Sequence, residues 1–141
     1  MMILKSTGNN AMCQIGYIIL INRFKDANGT EVSRHPFIVV DDAAGTIGGL
    51  NFDLVSVMTT SYKGDTDSYN KRFDFGYVHL DVSEGMKKES HAFIYDLYYF
   101  NLQKIDYQII GQLETEAFNR VLDVIEEFDR EGLLRIVKTN L

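Results

Sequence analysis

One cysteine and one proline in 141 residues leave this chain with few covalent staples and few hard breaks. The lone thiol, Cys13, excludes an intrachain disulfide and a thiolate zinc cluster. No nucleophile signature surrounds it, so it reads as a buried structural residue. Long apolar runs are missing as well. The longest, Tyr17 to Ile21, falls far short of the roughly 20 residues that a membrane-spanning helix needs. Polar residues follow Met1-Met2-Ile3-Leu4 with no signal-peptide hydrophobic region, so a cytoplasmic location and no membrane partner are expected. The glycines between Asp42 and Asn51 lack the Lys-Ser/Thr ending of a phosphate-cradling loop. His79 and His91 lack Cys or acidic metal-ligand spacing and read as strand histidines, so neither metal nor other cofactor is expected.

A basic excess is also absent. The formal net charge of −6 argues against a generic nucleic-acid binder, which is usually basic. The charge is unevenly spread, however. Seven acids between Glu114 and Glu131 face only Arg120 and Arg130, so this segment carries −5 and the remainder only −1. A nearly neutral body can hold a local basic groove, here from Arg23, Lys25, Arg34, Lys63, Lys71 and Arg72. Such a groove binds more weakly, and with more salt sensitivity, than a fully basic surface.

What is present is ordinary globular material: 45% hydrophobic and 24% charged residues, in a length that makes one domain over 1–141 with a real core. Residues 1–12 show no period and read as a loose tail or an edge strand. Gln14 to Ile21 is β-branched and aromatic, a first strand, and the polar stretch Asn22 to Ser33 reads as a long loop. His35 to Asp41 is a second strand, apolar enough to be buried on both faces, with Pro36 suited to a strand start. Asp42 to Asn51 is a connection, Phe52 to Thr60 a third strand, and Tyr62 to Arg72 a polar loop. Phe73 to Leu80, the aromatic Ser90 to Phe100, and Tyr107 to Ile110 continue the strand pattern. Phe118, Val121, Leu122, Ile125 and Phe128 then fall on one helical face, giving a helix within 113–131. Leu113 can staple against Phe118, Gly132 sits where a helix stops, and Leu133 to Val137 makes a short last strand or a helix extension. The expected class is mainly β, a small barrel of five to seven strands sealed by a C-terminal amphipathic helix (α+β).

If the second and third strands are neighbours, Glu31, Arg34 and His35 gather with Thr59, Thr60, Ser61 and Lys63 at one end of the sheet. An imidazole, a guanidinium, a carboxylate and hydroxyls suit phosphodiester chemistry. The ordered set resembles the MazF/PemK-like toxins of toxin–antitoxin pairs. Gly16-Tyr17-Ile18-Ile19 resembles the family's opening strand. Gly29-Thr30-Glu31 with Arg34-His35-Pro36-Phe37 resembles its loop and Arg-Pro strand. Val57-Met58-Thr59-Thr60-Ser61 resembles its threonine-ended strand, and Ile110-Gly111-Gln112-Leu113 its lead into the last helix.

The resemblance implies an SH3-like barrel, usually a homodimer, with an antitoxin protein as partner. It also implies a metal-independent endoribonuclease that cuts single-stranded RNA (mRNA) at short motifs through 2′-hydroxyl attack and inhibits growth. It implies catalytic roles for Thr59 and for Arg34 or His35, and RNA contacts by Glu31, Thr60, Ser61 and Lys63. The residue touching Pro36 is His35, with Arg34 one place earlier, and strand neighbours face opposite ways. Either His35 faces the site as an acid/base with Arg34 at the loop edge, or a bulge turns Arg34 in. The Arg-x-Asp pair of some members is replaced by Phe93 and Tyr95, with Asp96 adjacent. The alternative reading is a catalytically degenerate barrel that serves as a protein- or peptide-binding module.

Overall fold

The structure is a computed structural model of the chain, in which residues 13–61 and 76–141 are described. The expected tail over 1–12 and the positions Lys63, Lys71, Arg72 and Phe73 to Phe75 lie outside them. Among the described residues, ten strands and one long helix make the fold mainly β with a C-terminal helix. The strands are β1 (Tyr17–Lys25), β2 (Glu31–Asp41), β3 (Gly45–Ile47), β4 (Leu50–Phe52), β5 (Leu54–Ser61), β6 (Tyr77–Leu80), β7 (Ser90–Phe93), β8 (Asp96–Phe100), β9 (Tyr107–Gln112) and β10 (Arg135–Val137). The helix, α1, spans Thr115–Arg130.

The main ladder runs β10-β8-β5-β2-β1-β9, while β7 bridges β5 and β6. Every pairing is antiparallel except β10 with β8. This sheet is open, with β9 and β10 at its ends, where a closed barrel was expected. Two pieces read as single also divide. Ser90 to Phe100 breaks at Ile94 and Tyr95 into β7 and β8, because β5 offers one half of its length to each. The connection after Asp42 contains the hairpin β3–β4.

The polar stretch Asn22 to Ser33 is mostly not a loop. Arg23 pairs with Ser33, Phe24 with Val32 and Lys25 with Glu31, so the two long strands form a ribbon ending in a turn over Asp26–Thr30. Asp26 closes this turn. Its carboxylate accepts the amides of Asn28 (2.9 Å) and Thr30 (3.0 Å), and its carbonyl accepts that of Gly29, whose φ is 82°. Both faces of the ribbon's outer part meet solvent at Arg23, Ser33 and Arg34, which is why its sequence lacks alternation.

The central sheet is apolar on both faces, and alternation divides its residues between two clusters. Ile18, Ile38 and Val57 join Ala117, Phe118, Val121 and Phe128 under the helix. Ile19, Ile21, Phe37 and Val39 join Phe24, Tyr98 and Phe100 on the other side. There Phe37 stands edge-on to Phe24 (4.9 Å), Tyr98 (5.2 Å) and Phe100 (5.1 Å). Such edge-to-face pairs contribute about 0.5–1.5 kcal/mol each beyond burial. The helix is closed at both ends as its sequence suggests. Leu113 and Phe118 occupy the staple positions within one buried cluster. Beyond the C-cap Glu131, Gly132 at φ 70° donates to Asp129 and Leu133 to Phe128, a Schellman ending.

Candidate functional site

β2 and β5 are neighbours, with Phe37 opposite Met58, so the start of one lies beside the end of the other. Pro36 has no N–H, and the β2–β5 ladder ends at Phe37. Thr59 takes over at that point. Its hydroxyl donates to the Pro36 carbonyl at 3.0 Å, and the residue is completely buried. Thr59 thus holds the two strands together, with its proton committed to a backbone oxygen.

His35 is half-buried and lies edge-on to Phe24 at 5.9 Å. Its Nδ1–H donates to the Ser33 carbonyl at 2.9 Å, which leaves Nε2 as the basic nitrogen of the neutral ring. Arg34, its strand neighbour, is exposed and belongs to a different surface. Thr60 and Ser61 are half-buried and pair with His91 and Ser90 on β7. Lys63 lies outside the described residues.

Arg34 opens onto a groove of about 910 Å³ along the β1–β2 ribbon. Arg23, Lys25, Arg34 and Lys104 line it with Glu31 and Asp106, four cations against two carboxylates in a chain whose net charge is −6. Glu31 stands 3.8 Å from Arg23 Nε, both side chains being well exposed, so this is a weak, salt-screened contact. Asn22 Nδ2 donates to Asp106 Oδ2 at 2.7 Å. The last residues of the chain cross the base of the ribbon. Asn140 accepts the Lys25 amide (2.7 Å) and returns Nδ2–H to the Lys25 carbonyl (2.9 Å), as a strand neighbour would.

The groove therefore gathers Glu31 and Arg34 with Arg23 and Lys25 but leaves His35, Thr59, Thr60 and Ser61 outside its lining. Lys104, Asp106 and Asn140 were not among the residues singled out from sequence. No local signal marks them: only the β1–β9 pairing, with Ile21 opposite Tyr107, brings the turn before β9 to the ribbon.

A second polar cluster escaped the sequence for the same reason. His79 on β6 and His91 on β7 are ladder partners. His79 Nε2–H donates to Glu89 at 2.8 Å, and its Nδ1 shares a hydrogen bond with His91 Nε2 at 3.2 Å. His91 is buried against the Tyr77 ring, 4.1 Å away. Burial, with His79 beside it and against the weaker pull of Glu89, depresses its pKa to about 4.

Compared with protein-family models and with curated proteins, the chain matches none. Among the described residues no helix is long and apolar enough to cross a membrane.

Proposed function

We propose that the protein binds single-stranded RNA along the cationic groove and cleaves it without metal, as the toxin of a toxin–antitoxin pair. The observation that carries this reading is the concentration of Arg23, Lys25, Arg34 and Lys104 on one ribbon edge of an acidic protein. A groove of one charge sign tracks a phosphate backbone, and Arg34 offers a fixed fork of donors to one phosphate. In the reaction a 2′-hydroxyl loses its proton and attacks the adjacent phosphorus. The 5′-oxygen leaves and takes up a proton, giving a cyclic phosphate and a 5′-hydroxyl. Arg34 stabilises the charge gathering on the phosphoryl oxygens. Glu31 is the nearby carboxylate able to take the 2′-proton, and Thr59 acts only by holding β5 to β2. In this reading the protein works as a cytoplasmic homodimer. Its antitoxin partner lays an acidic segment in the same groove and blocks it.

One observation favours a second reading, a barrel-derived module that binds without cleaving. Thr59 donates its hydroxyl to the Pro36 carbonyl, and His35 lies edge-on to Phe24, so each of these two side chains has a structural partner. Incubation with long single-stranded RNA in EDTA, followed by end mapping, separates the two. Cleavage at a recurring motif, abolished by Arg34→Gln and Glu31→Gln but retained by Thr59→Val, supports the nuclease. Binding without cleavage across several transcripts supports the module. Absence of both at low salt overturns the groove reading. Loss of each groove cation should lower the logarithmic salt dependence of binding by about 0.7.

A further inference from the structure

A second cavity opens where the sheet forks. β5 pairs with β8 through Leu54–Ser56 and with β7 through Thr59–Ser61, so the chain crosses Ile94 and Tyr95 between the two partners. The crevice at this fork has a volume of about 490 Å³, within the range of small-ligand sites. Met58, Phe93, Tyr95 and Tyr98 line it together with Asp96 and Arg135. The last two form a fork-to-fork pair. Nε donates to Oδ1 at 2.7 Å and Nη2 to Oδ2 at 3.1 Å. Each carboxylate oxygen retains a second lone pair, and the guanidinium retains further N–H groups.

Aromatic rings and a thioether beside a carboxylate–guanidinium pair suit a flat heterocycle: its faces stack while its edge is read by hydrogen bonds. One buried contact links the walls of the crevice and the cationic groove through the core. Tyr98, in the crevice wall, stands edge-on to Phe24 at 5.7 Å, and Phe24 lines the groove.

We propose that this crevice is a nucleobase site with a preference for guanine. Guanine presents, side by side, an acceptor at O6 and donors at N1 and N2. On binding, the Arg135 guanidinium swings from the front of the Asp96 carboxylate to donate to O6, and the freed carboxylate accepts the two N–H groups, a match that adenine, cytosine and uracil lack. Where the base belongs to an RNA strand, the inference rests on the groove reading, which places the phosphates; a free guanine nucleotide offers the same base without it.

The test compares the four nucleoside monophosphates, and four single-stranded RNA hexamers each carrying one different central base, by titration calorimetry at low salt. The expected result is binding at least about tenfold tighter for guanine, in one or both series, with Asp96→Asn reducing that preference to about twofold. Leu133→Trp is the second variant. It fills the crevice from its partly exposed rim, leaves the ion pair in place, and should also remove the preference. Urea midpoints for both variants identify any loss of fold. Equal affinity for all four bases in both series, or a guanine preference that Leu133→Trp leaves intact, would overturn the crevice proposal, and hexamer binding would then leave the groove reading standing. Guanine monophosphate bound while no hexamer binds would uphold the crevice as a free-nucleotide site and overturn the groove. No binding in either series overturns both.

Discussion

Replacing Thr59 by valine tests whether this residue is structural. The change preserves shape and removes only the hydroxyl, which sits fully buried and donates to the Pro36 carbonyl at 3.0 Å. Proline has no N–H with which to continue the ladder, and β2 and β5 are paired only as far as Phe37 and Met58. The variant therefore loses one neutral hydrogen bond and leaves a carbonyl poorly satisfied, a cost of about 1–3 kcal/mol. For a domain of this length that corresponds to a fall in Tm of roughly 3–12 °C. Urea unfolding should show a lower midpoint at unchanged m-value, since the same surface is exposed. Thr59→Ser, which restores the hydroxyl but drops a methyl, should recover part of the difference. A valine variant as stable as the parent would refute the structural assignment and return the hydroxyl to the candidate chemistry.

Three further outcomes follow from the geometry. His91 has a folded pKa of about 4 against an ordinary value of 6.5, so the unfolded chain binds its proton first on acidification. The stability it contributes is complete above pH 6.5 and lost as pH falls towards 4, about 2 kcal/mol of it between pH 8 and pH 5; urea midpoints at both values should converge in His91→Phe. Gly76 has φ 95°, and a Cβ there would overlap the Tyr95 ring at Cε2, whereas Gly29 at φ 82° has open space around it. Gly76→Ala should thus cost at least about 1 kcal/mol more than Gly29→Ala, and equal losses by denaturant titration would show that Tyr95 gives way. Asn140→Ala removes both bonds to Lys25, so the Lys25 amide should exchange with deuterium several-fold faster while the amides of Phe37 and Val39 keep their rates.

The parts of the fold legible in sequence were those governed by local pattern. Phe118, Val121 and Phe128 are buried as their spacing requires, and Leu113 and Gly132 bound the helix through a staple and a Schellman turn. Phe37, Ile38 and Val39 form an uninterrupted apolar run because clusters lie on both faces of β2. The ribbon was not legible. Arg23, Lys25, Glu31 and Arg34 look like loop residues because their strands extend past the core, and pairing alone holds them. Pattern cannot see an open sheet end either, since closure depends on where β9 and β10 find partners.

The site was half legible, and the missing half has one cause. Residue types identified Arg34, Glu31 and Thr59 as chemically capable, and strand adjacency put β2 beside β5 as expected. Side-chain direction then divided them. His35 meets Phe24, Thr59 meets Pro36, and Arg34 reaches the solvent side where Lys25 and Lys104 stand. A one-residue step in the chain thus decides which chemistry the corner can carry. On the proposed reading, arginine and not histidine in the groove separates the stabilisation of phosphate charge from the imidazole. On that reading, proton transfer along this surface falls to Glu31 or Asp106, both carboxylates in the groove lining. Loss of cleavage in Glu31→Gln or in Asp106→Asn, alongside retention in His35→Asn, is the result this division requires, and cleavage kept by both carboxylate variants but lost in His35→Asn would place the chemistry at His35.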